Sequence, residues 1–163
     1  MNSRGESKKK ATVAGDPEVS LAEFIAKFTP AHAQLIVECR AELRQFLPGA
    51  IELVYDNYNF FVIGYSASER SSDCILSLAA AANGVGLSFY YGATLPDPDQ
   101  LLQGRGSQNR FLRLPTVAGL RTAGVLTLIR AAVAQARTPL PAQGAGRTII
   151  KSISAKQRPR RKT

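Results

Sequence analysis

Asn83-Gly84 constrains this chain more than any other pair of its residues. An Asn-Gly pair between two apolar, β-rich runs is the strongest short-range hairpin signal a sequence offers. Here the runs are 74–81 and 85–91. The alanines at 79–82 are poor strand formers on propensity alone. A hairpin nevertheless demands a partner strand, so 74–81 is predicted as one, and its small side chains would let a helix pack closely onto the sheet. Once one antiparallel hairpin is fixed, the neighbouring segments 51–55 and 60–65, both β-rich and separated by Asp56-Asn57-Tyr58-Asn59, read as further strands of the same sheet.

Helices flank this region. Asp16-Pro17 is a helix start, an Asp N-cap before Pro at the first helical position, and predicts a short helix over 19–28. Thr29-Pro30 repeats the logic and opens a longer helix to about Phe46, with Ile36, Cys39, Leu43 and Leu47 on one face. Pro48-Gly49 ends it. Asp97-Pro98 predicts a turn or two of helix through Leu102, closed by Gly104 as a left-handed cap. A last short strand follows at 110–114. Then comes a helix over 120–136 whose buried stripe is Val125, Leu128, Ile129, Ala132 and Ala136. The order α-α-β-β-β-β-(short α)-β-α predicts an α+β fold: a mostly antiparallel sheet of about five strands with helices packed on it.

Charge divides the 163 residues. Residues 1–12 hold Arg4, Lys8, Lys9 and Lys10 against Glu6, and residues 147–163 hold seven Lys or Arg and no acid, so the body between them is close to neutral despite a net charge of +9. The expected organisation is a disordered basic arm at 1–14, one domain at 15–137, and a flexible linker and basic tail at 138–163, within which Thr148-Ile149-Ile150 is a short apolar interruption. The arms offer non-specific nucleic-acid binding through 1–12 and 147–163. The tail has no aromatic residue of its own for base stacking. No run approaches the length of a membrane span, and MNSRGESKKK leads into no apolar signal core, so a cytoplasmic protein that does not engage a membrane is expected. Cys39 and Cys74, outside any CxxC or metal spacing, read as buried structural thiols.

The site candidates centre on Gly104-Arg105-Gly106 and Arg110. Glycine amides can approach an anion, and the arginines supply charge. Strand alternation puts Arg110 on the face of Leu112 and Arg113 on the opposite one. A ligand pocket is therefore expected from Gly104, Arg105, Gly106 and Arg110, with Tyr55 and Tyr91 from the sheet. The loop is neither a P-loop nor a dinucleotide fingerprint. For metals, Glu38 and Glu42 stand one helical turn apart and suit a hard cation, while Asp97 and Asp99 are placed to cap the short helix. His32 and Cys39 are roughly 10 Å apart along the helix axis, too far for one zinc ion. His32 is the only histidine, and no nucleophile elbow or triad can be assembled.

The stretch Gly92-Ala93-x-Leu95-Pro96-Asp97-Pro98, then Leu102-x-Gly104-x-Gly106 and Arg110, resembles the signature of the YdhG-like domain family, across roughly residues 51–136. That is a family of unknown function in which some members are described as frataxin-like intracellular iron chaperones. The resemblance implies a compact α+β fold, no established catalytic mechanism, and iron as the one cofactor to consider. Ser107 and Phe111 stand where the family usually has lysine and histidine, which removes a cation and a candidate metal ligand. The expected function is a non-enzymatic binding module for a small anionic ligand or a protein partner. The alternatives are an iron chaperone and a nucleic-acid-associated protein.

Overall fold

The computed structural model describes residues 15–141 and 146–162. The expected arm at 1–14 lies outside the described residues. Helix α1 spans Pro17–Ala26, its first turn capped by the Asp16 carboxylate, which accepts from the Glu18 amide at 2.9 Å. Helix α2 spans Pro30–Phe46, with the Thr29 hydroxyl accepting from the His32 amide at 3.2 Å. Each cap satisfies a backbone donor that a helix N-terminus leaves unpaired, and each proline occupies a position where it has no amide to lose.

Strands β1 (Ile51–Asp56), β2 (Phe61–Ser66), β3 (Cys74–Ala81), β4 (Gly84–Phe89) and β5 (Arg110–Arg113) follow, then α3 (Ala123–Ala134) and β6 (Thr148–Ile153). They form one six-stranded sheet in the order β5-β4-β3-β2-β1-β6. All neighbours pair antiparallel except β1 and β6, which run parallel. The β3–β4 hairpin is present, but its two-residue loop is Ala82-Asn83, with Ala81 opposite Gly84. Gly84 carries the positive φ, 134°, and so supplies, one place later than expected, the conformation that lets the strands twist together.

Alternate residues of the strands build the core. Phe61, Ile63 and Tyr65 of β2, Leu76, Leu78 and Ala80 of β3, and Val85, Leu87 and Phe89 of β4 join one buried cluster. The helices contribute Leu21 and Phe24 from α1, Ile36, Cys39 and Leu43 from α2, and Val125, Leu128, Ile129 and Ala132 from α3. Of the β3 alanines, only Ala80 faces this core; Ala79 and Ala81 are half-buried on the other side of the sheet. Close helix packing on an alanine surface is thus limited to one residue, and the small side chains mostly floor the helix-free face.

Two expectations are corrected. Residues 97–102 form no helix. The Asp97 carboxylate instead accepts from the Leu101 and Leu102 amides, each at 2.9 Å, and Gln100 sits at φ 53°. A carboxylate that satisfies amides four and five residues on stabilises a closed loop instead of a helical turn. The second correction concerns 148–162, expected as a flexible tail. Its β-branched run forms β6, and Ile150 packs against the core beside Val54. The chain passes from β5 at one sheet edge, through α3, to β6 at the other. Past β6, Arg160 is buried, its Nη2 donating to Asp56 Oδ1 at 2.8 Å and to the Asn57 carbonyl at 2.6 Å.

Candidate functional site

The predicted site residues do not converge. Tyr55 on β1 hydrogen-bonds the Ser71 hydroxyl, and Tyr91, just past β4, donates to the Ser72 carbonyl at 3.3 Å. The two tyrosines thus grip successive residues of the turn between β2 and β3. The hollow beside Tyr91, walled by Ser72, Gln135 and Arg137, holds only about 20 Å³, room for little more than a water molecule. Arg110 belongs to β5, four strand positions from β1, or about 19 Å at ~4.8 Å per step.

The Gly104-Arg105-Gly106 loop is closed on itself. Gln103 and Phe111 exchange both backbone hydrogen bonds, at 2.7 and 3.0 Å, and Gly104 takes φ 120° between them. Arg110 turns its Nη1 back onto the loop, donating to the carbonyls of Gly106 and Asn109 at 2.5 and 2.8 Å. Its guanidinium thus fastens the loop's own carbonyls. Gly92 explains the tight join to β4: a Cβ there would lie 2.5 Å from the Arg110 Cβ and 2.9 Å from its amide nitrogen. The motif that carries the family resemblance therefore has a structural job. Arg105 and Gly106 remain exposed at its tip.

The metal candidates are separately engaged. Gln34 donates to Glu38 at 2.9 Å. Glu42 pairs with Arg121, ahead of α3, Asp97 binds its own loop, and Asp99 lies beside Gly124. Among the described residues, no three His, Cys, Asp or Glu come together to hold a metal ion.

On the sheet face that carries no helix among the described residues lies a groove of about 380 Å³, within the range of small-molecule sites. Its floor is the outward set of β3 and β4: Ser77, Ala79 and Ala81 beside Gly86 and Ser88. Phe60 and Val62 wall it on the β2 side, Phe111 and Arg113 on the β5 side. Strand alternation makes this recess. Inward Leu76, Leu78, Val85 and Leu87 are each followed by an outward Ser, Ala or Gly, so the sheet face sinks between two aromatic rims. Ser88 Oγ and Asn109 Oδ1 meet at 2.8 Å along one side. Arg113 is exposed and forms no ion pair among the described residues. It also lines an adjoining cavity of about 210 Å³ with His32, past the hairpin turn. The signal for this groove was in the sequence, as small residues at every second position of 77–81 and 86–88.

Two buried ionic clusters hold the elements together. Arg40 of α2 donates through Nε and Nη2 to Glu52 at 3.1 and 2.9 Å, and also reaches Glu18 of α1. Glu52 receives the Tyr65 hydroxyl at 3.0 Å and that of Thr148 at 2.8 Å. The Arg40 hydrogen bond holds the Glu18 carboxyl below the usual carboxylate range, and burial beside Glu52 pushes the Tyr65 phenol well up. In the second cluster, Asp56 takes Arg160 on one oxygen and Lys27 on the other, at 2.8 and 2.7 Å. Much of the basic C-terminal segment is likewise engaged: Arg147 pairs with Glu69, Lys151 donates to the Glu69 carbonyl at 3.0 Å, and Arg161 donates to the last carbonyls of α1.

No helix among the described residues is long and apolar enough to cross a membrane. No protein-family model, curated protein or solved structure matches the chain.

Proposed function

We propose that this chain is a non-enzymatic binding module whose helix-free sheet face takes a small ligand with a flat apolar body and one acidic group. The observation that carries this reading is the groove between Phe60 and Phe111, with Arg113, unpaired among the described residues, on its rim. Apolar walls with a few placed polar groups are the usual make-up of a small-molecule site. Aromatic rims favour a flat body, and a guanidinium favours a carboxylate or phosphate. The expected anionic ligand is kept, but its cation moves from Arg110 to Arg113, since Arg110 is bound to its own loop.

The test is calorimetry with aryl carboxylates and aryl phosphates on the wild type, Arg113→Ala and Ala79→Phe. Losing a charge-assisted hydrogen bond corresponds to ~1.5–3 kcal/mol, so Arg113→Ala weakens binding about tenfold or more. Ala79→Phe fills the floor of the groove and abolishes binding while the thermal midpoint holds. Absence of binding across both ligand series, or equal affinity in all three proteins, rules the reading out.

The YdhG-like resemblance supplies the second reading, an iron chaperone. Glu38, Glu42 and Asp97 already have hydrogen-bond or ion-pair partners, so this reading ranks below the groove.

A further inference from the structure

We propose that the β1–β2 turn and the basic C-terminal segment together form a surface for single-stranded nucleic acid. The basic segment contains no aromatic residue, but the fold brings one to it. The Arg158 amide donates to the Tyr58 carbonyl at 2.8 Å, and its guanidinium lies 5.7 Å from the Tyr58 ring centroid. Tyr58 still exposes 50% of its surface, as does Phe60 two residues on. Lys156, Arg158 and Lys162 of this segment are all exposed, and none of them is in an ion pair among the described residues. The neighbouring acid, Asp56, is fully buried and already held by two cations.

Anchoring matters as much as composition. Arg160 is buried on Asp56 and the Asn57 carbonyl, while Gln157 donates to the Asp56 carbonyl at 2.8 Å. Gln157 and Arg160 are thus pinned inward while Lys156 and Arg158 are left outward. The cations are presented from a fixed backbone next to an exposed ring, so a strand loses less freedom on binding than it would on a floppy tail. Basic side chains that follow a phosphate backbone beside an aromatic ring that stacks a base are the working parts of single-strand recognition. A duplex cannot use the ring, because its bases are already stacked.

The experiment is fluorescence anisotropy of the full chain with a labelled oligouridylate, a duplex of equal length and anionic vesicles. The single strand binds tightest. Tyr58→Ala weakens it about tenfold and Tyr58→Phe restores it, as base stacking requires. Replacing both Lys156 and Arg158 with Ala lowers the slope of log affinity against log salt by about 1.4, near 0.7 for each lost phosphate contact. Circular dichroism verifies that each variant folds. Unchanged affinity in Tyr58→Ala, or equal or tighter binding of the duplex or the vesicles, overturns the proposal.

Discussion

Asp56 is fully buried, and its two cations, Lys27 and Arg160, come from opposite ends of the chain. The partners are unequal. The Arg160 side chain is 2% exposed, whereas that of Lys27 is 42% exposed. Removing Arg160 leaves the buried carboxylate with only the half-exposed Lys27, so Arg160→Met destabilises the fold by about 3 kcal/mol, and Lys27→Met by about 1 kcal/mol or less. Urea denaturation measures both, and equal losses would mean that burial does not set the cost. The thiols are a second case. Burial pushes Cys39 up to about 12 and Cys74 up to about 11, and it raises Tyr65 as well. Unfolded thiols ionise near ~8.5, so the folded chain keeps protons that the unfolded chain releases. That stability is whole below about pH 8.5 and is lost as pH rises toward the folded values. Neither thiol is therefore expected to react with Ellman's reagent in the native protein at about pH 8, and both react once denaturant is added. The apolar neighbours of Cys39 and Cys74 made their burial legible in the sequence. Nothing in a run of arginines marks Arg160 as buried, because its partner lies 104 residues away.

At the scale of elements, what local chemistry dictates was legible. The two Pro-capped helices, the stripe Ile36-Cys39-Leu43, the hairpin and the buried face of α3 all follow from spacing within a few turns or one strand pair. β6 was not legible, since a short β-branched run becomes a strand only when a distant edge accepts it. That edge belongs to β1, with Leu53 opposite Ile149 and Val54 opposite Ile150. The loop at 97–102 was misread because a carboxylate before proline serves a helix cap and a closed loop equally well. The β6 assignment has a direct consequence. Ile149→Pro removes the amide that the parallel register points at the Glu52 carbonyl, wedges the strand from β1, and is expected to cost about 3 kcal/mol. It also uncovers an edge strand and promotes association. Chemical denaturation and light scattering check this, and wild-type stability in Ile149→Pro would mean that the segment contributes nothing to the sheet.

Over the whole molecule, the sheet has two unlike faces. One is sealed by three helices around Leu76, Leu78 and Leu87, and the other is a recess floored by Ala79 and Gly86. Alternation in the sequence separates the two sets of residues, but it does not say which set the helices cover or whether the second stays open. For that reason the loop around Gly104–Arg110 stood out in the sequence and the groove did not. The net charge of +9 is likewise redistributed by folding, with Arg147 and Arg160 consumed in ion pairs and Arg113 left unpaired among the described residues. The central claim is that the recess is the binding site, and amide chemical-shift mapping during titration with an aryl carboxylate tests it most directly. The account predicts shifts concentrated on Ser77, Ala79, Gly86, Ser88 and Arg113. Shifts confined to Gly104–Arg110 or to Tyr55 and Tyr91, or no shifts at saturating ligand, would contradict it.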